Sequence, residues 1–122
     1  IDLKGIILKP NMILPGSQST NKISNEEIAS LTTKCLKENV PAEVPGIAFL
    51  SGGQSSDLAI LHLQKMNEKY QNDMPWNLTF SYGRALQHDA LNSWLGKNVE
   101  DGQESLLKRA KANSLATLGE VV

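Results

Sequence analysis

The sequence predicts an α/β fold in which strand-helix units follow one another along the chain. Three short apolar runs are each followed by a turn rich in glycine or proline and then by a helical pattern. Repeated βα units imply a parallel sheet, and a closed (β/α)8 barrel takes about 250 residues. With 122 residues, we expect a fragment of a single domain, comprising the last three βα units and the terminal helix of such a barrel. A small complete three-layer α/β domain is the alternative.

The first unit begins with the run Ile-Ile-Leu at residues 6–8, which is apolar on both faces, as strands in covered parallel sheets are. A polar stretch leads to Ser-Asn-Glu-Glu at residues 24–27, whose Ser-x-x-Glu form is that of a capping box at a helix start. Apolar residues then follow at helical spacing, namely Ile28, Leu31, Cys35 and Leu36. This pattern predicts one complete βα unit.

The second and third units repeat this order. Residues 47–50 and 76–81 form the predicted strands, each followed by a turn that contains glycine. The helices carry Leu58, Leu61 and Met66 in the second unit and Leu86, Leu91, Trp94 and Leu95, ending at Gly96, in the third. A last helix is predicted over residues 101–118. The strand side chains expected to line the interior of a closed barrel are Ile7, Phe49 and Phe80.

Lys9 follows the first predicted strand, and Pro10 holds it in an extended conformation. The amine therefore lies at the carboxyl end of a parallel strand, the edge where chemistry takes place in barrels and open α/β sheets. A lysine amine whose pKa is lowered by burial or by a neighbouring cation can attack a carbonyl carbon and form a Schiff base. Lys9 is thus the candidate nucleophile. A lysine that extends from the strand end into water is the alternative.

Two turns are candidates for binding a phosphate. Ser51, Gly52 and Gly53 lie between a strand end and a helix start, where glycines let backbone N–H groups approach an anion. Tyr-Gly-Arg at residues 82–84 repeats the arrangement, and Arg84 can bind phosphate through two hydrogen bonds. Neighbouring βα loops converge on phosphate in barrels, so we expect one shared site. A purely architectural glycine turn and a salt-bridged Arg84 are the alternatives.

The composition argues against several other classes of function. The chain is 40% hydrophobic, and its 12 basic and 13 acidic residues leave a net charge of -1, which gives no sign of nucleic-acid binding. Its apolar runs are far shorter than the roughly 18 residues of a membrane-spanning helix. A single cysteine cannot form an internal disulfide, which fits a reducing compartment. His62 and His88 lie on separate predicted helices without ligand spacing, so we expect neither a metal site nor a cofactor.

Four blocks of the sequence form a set. They are Leu-Lys-Pro-Asn-Met at residues 8–12, Val-Pro-Gly-Ile-Ala-Phe-Leu-Ser-Gly-Gly-Gln-Ser at 44–55, Phe-Ser-Tyr-Gly-Arg-Ala-Leu-Gln at 80–87 and Arg-Ala-Lys-Ala-Asn-Ser-Leu-Ala at 109–116. Together they resemble class I fructose-bisphosphate aldolase, in the family's order and over nearly the whole chain. The resemblance implies that residues 1–122 are the C-terminal portion of that family's TIM (β/α)8 barrel.

By that resemblance, Lys9 is the Schiff-base lysine that attacks the ketone carbon of fructose 1,6-bisphosphate or dihydroxyacetone phosphate. The residues that resemble the family's phosphate-binding turns are Ser51, Gly52, Gly53, Ser81, Gly83 and Arg84. The implied reaction is the reversible cleavage of fructose 1,6-bisphosphate to dihydroxyacetone phosphate and glyceraldehyde 3-phosphate in glycolysis and gluconeogenesis. The resemblance also implies a cytoplasmic homo-oligomer, a homotetramer, for the complete enzyme.

The carboxylates that such a reaction needs for proton transfer are not found at the predicted strand ends of this chain. In the family they come from earlier strands. We therefore expect the chain alone to be inactive and to require the N-terminal portion of the barrel as its partner. The alternatives are a catalytically incomplete fragment that acts as a phosphate-binding or scaffold module, and another Schiff-base barrel enzyme such as transaldolase, against which the two glycine turns count.

Overall fold

The computed structural model, which describes residues 1–121, confirms the predicted α/β class. Its strands are β1 (Ile7–Leu8), β2 (Gly46–Phe49) and β3 (Asn77–Phe80), and its helices are α1 (Asn25–Asn39), α2 (Ser56–Tyr70), α3 (Arg84–Trp94) and α4 (Val99–Ala116). Short 3-10 turns cover Leu3–Gly5 and Gln71–Asp73. The three strand-helix units therefore follow in the order that the sequence predicts.

The three strands form one parallel sheet in the order β1-β2-β3. Ile7 pairs with Gly46, and the four residues of β2 pair in register with the four residues of β3, so that Phe49 lies beside Phe80. Parallel strands that neighbour in chain order are joined by right-handed crossovers, which bring the connecting helices to the same face. The sheet thus has one face covered by helices.

The hydrophobic core lies between the sheet and these helices. Ile47 and Phe49 are fully buried and pack in one cluster with side chains of α1, α2, α3 and α4, among them Ala29, Leu36, Ala59, Leu63, Met66, Ala85 and Ala116. On the other face of the sheet, Ile7 is 56% exposed. Residues 1–121 therefore form two layers and not the three layers of the alternative α/β domain.

The expectation that Phe49 and Phe80 line a barrel interior is wrong. Side chains alternate between the two faces of a strand, and parallel partners lie on the same face. Phe49 shares the helix-covered face with Ile47, and Phe80 is its partner and packs against the same core. Ile7 lies on the opposite face, because its partner is Gly46. A run that is apolar at every position does not reveal which residues face the helices.

Serine residues form the N-caps of helices α1 and α2. The Ser24 hydroxyl accepts a hydrogen bond of 3.1 Å from the backbone N–H of Glu27, which confirms the predicted capping box position. The Ser55 hydroxyl accepts a bond of 3.2 Å from the N–H of Leu58 at the start of α2. These contacts satisfy N–H groups that have no partner within the helix.

Arg109 on α4 forms ion pairs with both α2 and α3. Its Nη1 donates to Oδ1 of Asp57 in the first turn of α2 at 2.7 Å, and its Nε donates to Oδ2 of Asp89 on α3 at 2.8 Å. The arginine side chain is mostly buried, and the two carboxylates raise its pKa against the effect of burial. The ion pairs thus connect α4 to both α2 and α3.

Helix α3 ends at Trp94, two residues before the predicted end at Gly96. Leu95 is the residue that follows the helix, with a left-handed φ of 48°, and Gly96 continues with a φ of 73°. The Leu95 N–H still donates to the carbonyl of Leu91 at 3.0 Å. A leucine at positive φ is strained, since its Cβ approaches the following carbonyl oxygen. The helix therefore ends with two successive left-handed residues.

Candidate active site

The carboxyl ends of all three strands meet at one edge of the sheet. The Leu50 N–H donates to the carbonyl of Pro10 at 2.9 Å, and the Ser81 N–H donates to the carbonyl of Phe49 at 2.8 Å. These bonds continue the parallel pairing beyond the strands themselves. The segments that contain the sequence-predicted site residues therefore lie side by side.

Lys9 is the first residue after β1, and it is exposed. It lies two positions after Ile7, so the alternation of an extended chain puts both side chains on the face that the helices do not cover. Its neighbour Pro10 accepts the hydrogen bond from Leu50 that joins the first two strand ends. The amine is therefore presented at the expected edge, with its side chain accessible in this chain.

The turn between β2 and α2 depends on two glycines. Gly52 and Gly53 have φ values of 62° and 82°, a region that L side chains rarely adopt. The Gln54 N–H donates to the carbonyl of Ser51 at 3.1 Å and closes the turn. A Cβ at Gly52 would lie 3.3 Å from Oδ1 of Asn11, so this turn packs closely against the segment that follows Lys9.

The turn between β3 and α3 is anchored by Tyr82. Its side chain is buried, and its hydroxyl donates to the carbonyl of Ala59 on α2 at 2.9 Å. Burial raises the pKa of Tyr82 above its usual value, so the hydroxyl stays a donor. Gly83 is the residue before α3, and Arg84 is the first residue of the helix and is exposed. The anchor thus sets where Arg84 begins.

A cleft of about 380 Å³ opens between these two turns. Its lining residues are Ser51, Gly53, Gln54, Ser55, Ser56, Arg84, Ala85 and His88. The structure therefore brings Ser51, Gly53 and Arg84 together around one space. Gly52, Ser81 and Gly83 belong to the same two segments without lining the cleft, and Lys9 lies outside the lining.

Five lining residues were not predicted from the sequence. They are Gln54, Ser55, Ser56, Ala85 and His88. His88 follows Arg84 by four residues, and this helical spacing could have placed both side chains on one face. Gln54 gave no such signal, because its position depends on contacts with residues far away in the chain.

The electrostatics of the cleft favour an anion. Helices α2 and α3 both begin at it, and the N-terminal end of a helix carries partial positive charge and free N–H groups. Arg84 adds a full positive charge, while the lining given by residues 1–121 includes no Asp or Glu. Within the same described range, no three His, Cys, Asp or Glu side chains are grouped so that they could hold a metal.

Comparison with known families identifies what this arrangement belongs to. The family model described as Fructose-bisphosphate aldolase class-I matches residues 1–122. The chain belongs to the class-I fructose-bisphosphate aldolase family. The resemblance drawn from the four sequence blocks is thereby confirmed, and the transaldolase alternative is wrong.

Several aldolases are similar to the chain. It is 52% identical over 119 residues to fructose-bisphosphate aldolase 4, cytosolic, of Arabidopsis thaliana and 53% identical over 120 residues to fructose-bisphosphate aldolase, cytoplasmic isozyme 1, of Pisum sativum. It is also 51% identical over 119 residues to fructose-bisphosphate aldolase 1, chloroplastic, of Arabidopsis thaliana. These alignments cover 96%, 97% and 96% of the chain but 30%, 33% and 29% of the relatives. The chain thus spans about a third of their length.

The fold agrees with that of a solved aldolase. The chain matches, with a TM-score of 0.94 and 47% identity, a chain from the ternary co-crystal structure of fructose-bisphosphate aldolase from Plasmodium falciparum in complex with TRAP and a small molecule inhibitor. The match covers 100% of this chain and 35% of that chain. Among residues 1–121, no helix has the length and apolar character that crossing a bilayer requires.

Replacing Gly53 by alanine is expected to lower the free energy of unfolding by about 1 to 2 kcal/mol, because an L side chain resists left-handed φ. The added Cβ would meet no atom within 4 Å, so the loss comes from the backbone conformation and not from a steric clash. Gly53→Asn should cost less, because asparagine tolerates this region better. Urea unfolding curves measure both changes. Gly16→Ala is the control, with equally open space and no positive φ; equal losses at positions 16 and 53 would contradict the role of φ.

Proposed function

We propose that residues 1–122 are the C-terminal portion of a TIM (β/α)8 barrel within a single aldolase domain. Three parallel strands in chain order, with helices on one face and an uncovered second face, support this division. Both edges of the sheet, β1 and β3, have only one partner strand within residues 1–121. The remaining strands of the barrel would pair with these edges, and their side chains would cover the face that carries Ile7.

The proposed activity is Schiff-base aldol cleavage of fructose 1,6-bisphosphate and its reversal. The observation that carries it is the position of Lys9 at the carboxyl end of β1, in the segment that pairs with the end of β2, together with the cleft between the two following turns, whose charges favour an anion. The Lys9 amine attacks the ketone carbon, and loss of water gives an iminium. The iminium accepts the electron pair as the bond between the third and fourth carbons breaks. The hydroxyl on the fourth carbon gives up its proton to a general base and becomes the aldehyde, which releases glyceraldehyde 3-phosphate. Protonation and hydrolysis of the remaining enamine then release dihydroxyacetone phosphate and restore the amine.

The two turns bind the phosphate of the ketose end in this proposal. Backbone N–H groups of Ser51, Gly52 and Gly53 face the anion from the start of α2, and Ser81, Gly83 and Arg84 supply the opposite side, with Arg84 as the cationic clamp. The positive φ values at both glycines and the cleft shared by Ser51, Gly53 and Arg84 support this assignment.

The groups that transfer protons come from outside this chain in the proposal. The cleft lining provided by residues 1–121 has no carboxylate, and aldol chemistry at the iminium needs a general acid and base. The N-terminal portion of the barrel is therefore the required partner, and the complete enzyme is a homo-oligomer. Cytosolic and cytoplasmic relatives support a cytoplasmic location, although chloroplastic relatives are also similar.

Lys9 is expected to be the residue trapped when the full-length protein is reduced with borohydride in the presence of dihydroxyacetone phosphate. Reduction converts the iminium to a stable secondary amine, which peptide mass spectrometry locates. Lys9→Arg should abolish both trapping and turnover, because a guanidinium that stays charged cannot form the imine. An adduct on Lys22 or Lys97 instead would refute the assignment.

Arg84→Ala is expected to weaken binding of the phosphorylated ketose by about 2 to 4 kcal/mol, since it removes a charge-assisted contact with phosphate. Isothermal titration of the full-length Lys9→Arg protein with fructose 1,6-bisphosphate, with and without the Arg84 change, measures this loss in the absence of turnover. Unphosphorylated fructose is the control ligand and should be affected far less. Equal losses for both sugars would show that Arg84 has a structural role instead.

The chain alone is expected to show no aldol cleavage, and its uncovered sheet face and edges should promote self-association. A coupled assay for glyceraldehyde 3-phosphate and light scattering test the two statements. Mixing the chain with a separately produced N-terminal portion should restore cleavage, because a barrel of repeated βα units can be divided between strands. A monodisperse isolated chain that cleaves fructose 1,6-bisphosphate would overturn the proposal. Phosphate binding without cleavage, even in the mixture, would favour the scaffold alternative.

A further inference from the structure

A buried histidine contacts Gln54, which lines the cleft, and has no part in the proposed reaction. His62 is on α2 and is only 1% exposed. Its Nδ1 lies 2.5 Å from Oε1 of Gln54, and its Nε2 lies 2.9 Å from Oδ1 of Asn25, the first residue of α1. Both ring nitrogens are therefore engaged, one by the cleft-lining turn and the other by the neighbouring helix.

Gln54 connects this histidine to the phosphate turn. Its Nε2 donates to the carbonyl of Ser51 at 2.9 Å and approaches Sδ of Met12 at 3.4 Å. The amide nitrogen is thereby committed, so the amide oxygen must face His62, and Nδ1 of His62 must carry the proton. Burial lowers the pKa of His62, and Lys65 acts in the same direction, which favours the neutral ring. The Nε2 atom of His62 is then an acceptor. The Asn25 amide donates to it when its oxygen and nitrogen positions are exchanged.

The contact fixes the part of the turn that would meet the anion. The Gln54 amide bonds the Ser51 carbonyl, the group that directly precedes Gly52 and Gly53 in the chain. The N–H groups of Gly52 and Gly53 donate to no backbone carbonyl within residues 1–121. The same Gln54 amide touches Met12, which lies in the segment that begins with Lys9. One side chain thus links the nucleophile's segment and the phosphate turn.

We infer that His62 is a positioning residue for the phosphate-binding turn and acts through Gln54. The inference rests on the proposed function, since it assigns the anion at this turn as the ketose phosphate. The histidine does not touch the substrate. It holds the Gln54 amide in the one orientation that bonds the Ser51 carbonyl, and so keeps the conformation of the glycine turn, of which Ser51 and Gly53 line the cleft.

Two variants of His62 separate its two contacts. In His62→Asn, the amide nitrogen occupies nearly the place of Nδ1, so donation to Gln54 is kept and the contact with Asn25 is lost. In His62→Gln, the longer side chain reaches the place of Nε2, so the contact with Asn25 is kept and donation to Gln54 is lost. Both replacements are uncharged amides, which makes them matched controls for each other.

The measurement is steady-state cleavage of fructose 1,6-bisphosphate by the full-length protein that contains this chain. His62→Gln is expected to raise KM about tenfold with little change in kcat, the size expected for losing a buried hydrogen bond that orders the binding turn. His62→Asn should stay within about twofold of the unsubstituted protein on the same scale. A general loss of packing at this buried site would instead affect both variants alike, so equal KM values for the two would overturn the inference.

A double-substitution cycle tests the route through Gln54. Gln54→Met should raise KM as His62→Gln does, and combining the two should produce no further increase, because both break the same link. Effects that multiply would overturn the route. Thermal melting shows whether His62→Gln folds. If it does not fold, the KM of Gln54→Met is the deciding measurement, and an unchanged KM for that variant would refute the inference. Borohydride trapping at Lys9 in the unsubstituted protein serves as the separate check: its failure would refute the proposed function itself.

Discussion

Parallel pairing of three short strands in chain order is the constraint on which the rest of the structure depends. The register sets Ile47 and Phe49 toward the helices and leaves Ile7 and Lys9 on the other face. Backbone bonds just beyond the strands then bring the three following loops to one edge. Everything at the candidate site, from the glycine turn to the start of α3, inherits its position from this pairing. A shift of one residue in β2 would exchange its buried and uncovered faces.

Local signals in the sequence were sufficient to predict the helices and strands but not to predict which side chains of a strand face the helices. The Ser-x-x-Glu pattern at Ser24 located a helix start, because a cap depends on residues three apart in the chain. The face occupied by Phe49 could not be read in the same way, since every residue from 47 to 50 is apolar and only the partner strands distinguish the two faces. The end of α3 differed from the prediction because Leu95, as well as Gly96, has a left-handed φ. A leucine gives no signal of that conformation in the sequence.

The candidate site divides in the same way into a local part and a long-range part. Ser51, Gly53 and Arg84 were predictable because turn glycines and a basic residue follow predicted strands. Gln54 and His62 were not, since their link spans eight residues on one side and extends to Asn25 on another helix. The spacing of a histidine relative to other metal ligands in the sequence does not reveal a hydrogen bond to a binding turn. Buried polar residues that support a binding turn are visible only once their hydrogen-bond partners are known.

The end of α3 shows that the chain is not built for maximal stability. Leu95 occupies a left-handed position where asparagine or glycine would relieve strain, and its side chain is 70% exposed, so little packing offsets that strain within residues 1–121. Natural sequences are held above a threshold of stability and not driven to its maximum, and unused gains of this kind are common. Position 95 is accordingly a starting point for engineering a more heat-resistant form of the protein, since it follows the opposite end of α3 from Arg84.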